Sequence, residues 1–222
     1  MSFSLSRGKT LDVTGVGLAW NDLPPADSGV IDLRSWFPDR AAPLELEIGS
    51  GKGTFLANQA AATPGVNYIG IEYAGAFWRY AADRLRRAGL PNVKLLHYEA
   101  ASFVRQFCGD GVFRQVHIYF PDPWPKKRHH KRRLVQGPFL AQLHRVLEPA
   151  GRVRLATDHA EYFAWMQEHV AGVADLFEVL PFDSPASAGE GELVGTNFER
   201  KYRREGRSFH AMVLRRREVP AG

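Results

Sequence analysis

From Leu44 onward, short runs of apolar residues alternate with longer segments in which apolar positions recur every three to four residues. The short runs read as strands buried on both faces and the longer ones as amphipathic helices. Their alternation predicts a parallel sheet covered by helices. Strands are expected near 44–48, 66–71, 92–97, 113–120 and 151–156, and helices near 53–62, 75–88, 100–107, 137–147 and 160–171. An apolar run at 176–181, a polar Ser/Gly/Glu-rich loop at 183–195 and a strand near 208–215 complete the pattern. Residues 1–40 carry little period and contain Pro24, Pro25 and Pro38, which predicts an arm leading into one domain over 41–222. Arg7 and Lys9 would give that arm a phosphate contact.

Composition narrows the class. At 222 residues, 45% hydrophobic and 24% charged, the chain suits one α/β domain with a full core and is neither disordered nor fibrous. It has no run near the ~18 apolar residues of a membrane helix and no leader-like N-terminus, so a cytoplasmic protein is expected. The single cysteine, Cys108, excludes an intrachain disulfide and a multi-cysteine zinc site and reads as a buried hydrophobe. His129, His130 and His159 lack a ligand-partner set, so no metal is expected.

Charge changes the picture because it is local. Lys126, Lys127, Arg128, Lys131, Arg132 and Arg133 carry six positive charges against a net +5 for the chain, leaving about −1 elsewhere. This run follows Phe120-Pro121-Asp122-Pro123-Trp124. The prolines bias Phe120 and Asp122 toward extended backbone, so a strand should end here with an acid at its tip. Acid, aromatic and basic groups in one loop suit a nucleic-acid substrate, with cations for phosphates and a ring for a base.

A second motif lies earlier. Leu44-Glu45-Leu46-Glu47-Ile48 runs into Gly49-Ser50-Gly51-Lys52-Gly53 and then a helix, the strand, glycine turn and helix start that nucleotide-type ligands require. The spacing is G-x-G-x-G, which weakens a nicotinamide oxidoreductase and favours S-adenosylmethionine, whose cationic end Glu47 could meet. Glu72 ends the next strand where a carboxylate would accept from ribose hydroxyls. Glu99 follows the third strand, facing adenine or capping a helix. Asp158 lies on the same sheet edge, as a substrate contact or an N-cap. Thr196 and Glu199 have capping-box spacing before a basic helix.

These segments, L-E-I-G-S-G-K-G, Gly70-Ile71-Glu72, P-D-P-W-P-K-K-R-H-H-K-R-R-L, Thr157-Asp158 and T-N-F-E, resemble those of bacterial tRNA (guanine-N7)-methyltransferases over roughly Leu44 to Arg216. The resemblance implies a Rossmann-like, doubly wound, mostly parallel sheet with an antiparallel C-terminal strand. It implies transfer of a methyl group from S-adenosylmethionine to the variable-loop guanine (position 46) of tRNA. The cofactor contacts would be Glu47, Gly49, Gly51, Gly53, Glu72, Glu99 and Asp122, with Asp122 also catalytic. Substrate contacts would be Lys126, Asp158, Thr196, Asn197, Phe198 and Glu199, and Arg128, Lys131, Arg132 and Arg133 would meet RNA phosphates. The partner would be tRNA, not a membrane, and the protein a monomer or homodimer. Two other readings stay open at this point: a methyltransferase of an exocyclic amine, since Asp122-Pro123-Trp124 resembles an acid-proline-aromatic motif, and a non-catalytic RNA-binding protein.

Overall fold

The computed structural model describes residues 10–218, so Arg7 and Lys9 lie outside the described part. Among the described residues eight strands form one sheet: β1 (Gly17–Ala19), β2 (Leu44–Ile48), β3 (Asn67–Ile71), β4 (Val93–His97), β5 (Phe113–Tyr119), β6 (Leu147–Thr157), β7 (Phe177–Leu180) and β8 (His210–Arg216). Their spatial order is β1-β4-β3-β2-β5-β6-β8-β7. All pairings are parallel except those of β8, which is antiparallel to both β6 and β7. The helices are α1 (Thr54–Ala62), α2 (Gly75–Arg87), α3 (Ala100–Phe107), α4 (Gly137–Val146), α5 (Ala160–Ala171) and α6 (Asn197–Arg204). No helix among the described residues is long and apolar enough to cross a membrane.

The doubly wound topology follows from burial. β2 and β3 are buried at every position, which only a sheet covered on both faces permits. Successive strands go outward from β2 through β3 to β4, then restart on its other side with β5 and β6. The order therefore reverses between β2 and β5, and a crevice opens beyond their carboxyl ends. The two motif loops leave the sheet at these two strand ends.

Two elements depart from the expected pattern. β1 lies inside the N-terminal segment and pairs in parallel with β4, Gly17 opposite Leu95 and Ala19 opposite His97. A three-residue strand shows no periodicity, but Gly17 is required there. A Cβ at Gly17 would stand 2.9 Å from Val13 and 3.0 Å from Trp78. β6 starts at Leu147, four residues before the expected strand, because it pairs with Phe113 before a register shift. Ala150 takes up the irregularity with φ 58°.

Candidate active site

The loop after β2 is built from backbone turns. The Gly49 and Ser50 amides both donate to the Ile71 carbonyl, at 2.8 and 3.1 Å. Gly49, Gly51 and Gly53 have φ of 82°, 53° and 67°, the left-handed region where a side chain is strained. Glu72, at the end of β3, closes this loop. One carboxylate oxygen accepts from the Gly51 amide at 2.8 Å and the other from the Ala74 amide at 2.7 Å. Burial raises its pKa and these two bonds only partly offset the rise. Glu99 is the N-cap of α3, accepting from the Ala101 and Ser102 amides at 2.9 and 2.8 Å while lining the same cavity. The capping role thus occupies its carboxylate from one side.

The loop after β5 faces this one. The Phe120 amide donates to the Ala156 carbonyl at 2.8 Å. Where the following proline predicted extended backbone, Phe120 instead has φ 52°, and Trp124 has φ 43°. Tertiary packing imposes this, since the Phe120 ring meets Tyr202 and Phe209 edge-on with centroids 6.0 and 5.7 Å apart. Asp122, between the two left-handed residues, is exposed at the rim. Gly51, Glu72, Glu99, Asp122, Trp124 and Phe198 line one cavity of about 750 Å³.

Beyond Gly49 and Phe198 a smaller chamber of about 290 Å³ is lined by Glu47, Ser50, Tyr119 and Asn197, among others. The Asn197 amide donates to Thr54 Oγ1 at 2.6 Å. Two carboxylates on one face of β2 contrast here. Glu45 accepts from Arg114 Nε, Gln115 Nε2 and His117 Nε2, each at 2.9 Å. Burial works to raise its carboxyl, but the His117 and Arg114 bonds outweigh it and hold it at about 2. Glu47 keeps a buried Oε2 without a hydrogen-bond partner. Burial pushes this carboxyl from 4.5 up to about 8, and the Glu72 charge adds to the rise.

Glu47 therefore has a signature in stability. Folded protein keeps its proton to about pH 8, whereas the unfolded chain releases it near 4.5. The stabilising contribution is full below pH 4.5 and is lost as pH rises to 8. Thermal melts of ligand-free protein are expected to lose roughly 5–10 °C across that window. In Glu47→Gln most of the decline should be lost, leaving the smaller share of Glu72, whose carboxyl burial also raises, and a parent-like decline in that variant would contradict the assignment.

On the substrate side, Asp158 accepts from Arg207 at 2.6 Å. It does not cap α5, because His159 fills that position and accepts from the Tyr162 amide. Thr196 caps α6 through the Glu199 amide at 3.0 Å. Lys126, Arg128, Lys131 and Arg132 are exposed, with Arg132 over the Trp124 ring at 5.0 Å.

Two expected contacts are corrected. Arg133 is 1% exposed and bonded to Pro123 and Glu161, so it cannot meet an RNA phosphate. Glu199 is fully buried, accepting from the Leu193, Val194 and Gly195 amides and from Arg203. Its carboxylate has no face left for a substrate. Conversely, Tyr73, Phe77 and Tyr98 also line the main cavity; the only sequence signal of Tyr73 and Tyr98 is a place just after a strand end, and Phe77, in the first turn of α2, has none.

A family described as "Putative methyltransferase" matches residues 41–212. The chain is 38% identical over 201 residues to the tRNA (guanine-N(7)-)-methyltransferase of Halorhodospira halophila, covering 90% of this chain and 85% of that protein. Identity to the protein of the same name from Streptococcus suis is 36% over 168 residues, covering 76% and 78%. Among solved structures, the 30S ribosomal A1408 methyltransferase from an uncultured bacterium matches with a TM-score of 0.55 at 12% identity, over 94% of this chain and 96% of that one. The tRNA (m1A58) methyltransferase TrmI from Aquifex aeolicus matches with a TM-score of 0.52 at 17% identity, over 89% and 70%. At these identities the two structures speak for the fold alone.

Proposed function

Because this chain belongs to the tRNA (guanine-N(7)-)-methyltransferase family, we propose that it methylates N7 of the variable-loop guanine of tRNA in the cytoplasm, with S-adenosylmethionine as donor. The observation that carries the reading is the convergence of both motif loops, with Glu72 and Asp122, on one cavity at the sheet's switch point. The residues present fit this cofactor. Glu47 has a buried Oε2 without a partner, and a bound cationic group would draw the proton off this carboxyl and pair with it; Glu72 offers remaining lone pairs to hydroxyls, and the glycines let the ligand approach the backbone. When bound, S-adenosylmethionine supplies an electrophilic methyl group.

Guanine N7 has a free lone pair and no proton, so the protein needs no strong base. It must align the acceptor and accommodate the positive charge that develops on the purine. Asp122 answers the second need as an exposed carboxylate at the cavity rim. Trp124 offers a ring face, Phe198 lines both chambers, and Asn197 lines the smaller one. The exposed Lys126, Arg128, Lys131 and Arg132 supply phosphate contacts.

The test is product analysis. Unmodified tRNA incubated with labelled S-adenosylmethionine should carry the label on N7 of one guanine, and replacing that guanine should abolish transfer. Label on an exocyclic amine, or none, would overturn the reading. Neutralising Lys131 and Arg132 together should weaken tRNA binding and flatten its salt dependence by a slope of roughly 1.5–2. An unchanged slope would mark them as solubilising charges only.

A further inference from the structure

Of the six cations between Lys126 and Arg133, only Arg133 is buried. Its guanidinium lies between two rings of α5, 5.1 Å from the Tyr162 centroid and 5.0 Å from that of Trp165. Nε donates to the Pro123 carbonyl at 2.8 Å, and Nη2 donates to Glu161 at 2.9 Å. Two more bonds join the same elements. The Val135 amide donates to the Tyr162 hydroxyl at 3.3 Å, and Trp165 Nε1 donates to the Val135 carbonyl at 2.9 Å. The chain segment after β5 is thereby fastened to α5 at the residue next to Asp122.

The fastening has a physical reason. Phe120 and Trp124, two residues on either side of Asp122, both hold left-handed backbone, which costs about 1–3 kcal/mol each and persists only where the surroundings impose it. The Phe120 end is held by the hydrogen bond its amide donates to the Ala156 carbonyl and by the rings of Tyr202 and Phe209. At the Pro123 end, Arg133 makes the bond. Arginine suits this position because a planar fork can stack between two rings while donating in two directions.

We infer that Arg133 is a positioning residue for methyl transfer: its clamp on the Pro123 carbonyl sets where the Asp122 carboxylate stands at the rim of the cavity, and it acts without touching RNA. This rests on the tRNA methyltransferase reading above. It also separates Arg133 from its five exposed neighbours, which act by charge.

The decisive variant is Arg133→Lys, which keeps the charge and most of the stem. One ammonium cannot lie flat between the rings and reach both acceptors. With tRNA and S-adenosylmethionine saturating, the single-turnover rate should fall about 10²-fold, as expected when a reacting group is misplaced by about 1 Å. The salt slope of tRNA binding and the S-adenosylmethionine affinity should stay at parent values. In Arg133→Ala, added guanidinium should restore part of the rate by filling the slot between Tyr162 and Trp165, whereas methylammonium at the same concentration should not.

A parent-like saturated rate in Arg133→Lys would overturn the inference. So would a salt slope smaller by about one with the saturated rate intact, because Arg133 would then be a phosphate ligand. Should Arg133→Ala fail to fold, the rate and salt slope of Arg133→Lys decide alone. Absence of methyl transfer by the parent protein is a different result, seen before any variant is made, and would overturn the functional reading together with this inference.

Discussion

Asp122→Asn is expected to fold and to bind tRNA nearly as the parent does, yet to lose about 10²–10³ in single-turnover rate. That loss corresponds to roughly 3–4 kcal/mol of transition-state stabilisation. The substitution keeps the shape and one acceptor oxygen and removes only the charge. It therefore probes stabilisation of the developing purinium rather than bulk. The position supports so large an effect: Asp122 is held between two left-handed residues, on the same sheet edge as the glycine loop. If Asp122 chiefly held the cofactor, S-adenosylmethionine affinity would drop in step with rate, and saturating cofactor would restore most activity. A rate within about threefold of the parent, with both substrates saturating, would remove Asp122 from the catalytic role.

The second large effect is expected at Glu199, through stability. One fully buried carboxylate accepts from Val194 and Gly195 at 2.8 and 2.9 Å, from the Leu193 amide, and from Arg203 at 2.6 Å. Glu199→Ala would leave three amides and a guanidinium without their acceptor, at a cost of about 3–5 kcal/mol. For a chain of this length that is a fall in Tm on the order of 10 °C. Glu199→Gln should be nearly as harmful, because its amide group would point N–H bonds at N–H donors. A parent-like Tm in the glutamine variant would refute this account. Burial works to raise the Glu199 carboxyl, but the Leu193, Arg203, Val194 and Gly195 bonds outweigh it and hold it below its usual 4.5. Its contribution is thus full above pH 4.5 and lost as the pH falls through the lowered value.

Glu199 also shows where sequence reading stops. Its spacing from Thr196 is that of a capping box, and half of the box forms, since Thr196 accepts from the Glu199 amide. The carboxylate, however, turns into the 193–195 loop, a choice set by the path of that loop and not by spacing. Arg133 is a parallel case. In the sequence it is indistinguishable from Arg132, and only α5, which brings Tyr162 and Trp165 to the same place, buries one and leaves the other in water. What was legible depended on period and punctuation. β3 is a short apolar run, β2 and β5 carry apolar residues interspersed with charged and polar ones over ordinary strand lengths, and Gly49 and Pro121 just beyond β2 and β5 mark the loops that meet at the cavity. The expected boundaries of β2 and α3 coincide with the observed ones. β1 was hidden because three residues cannot show a period, and the backbone of Phe120 because long-range ring packing overrides the local proline rule.

The place of β8 bears on how the molecule comes into being. Among the described strands it comes last in the chain, yet it is hydrogen-bonded on both sides, between β6 and β7. A nascent chain that has emerged only to α6 already holds β1 to β6 in order, but β6 is still an open edge and β7 has nothing to pair with. Chains usually fold from the N-terminus while they grow, so the cofactor half of the crevice can form on the ribosome ahead of the rest. The β6–β8–β7 corner, with α6 and its Thr196 and Asn197 just before β8, must wait for residues 210–216. Translation that stops short of them leaves an unpaired strand edge, the kind of surface that invites pairing with other chains, rather than a slower enzyme.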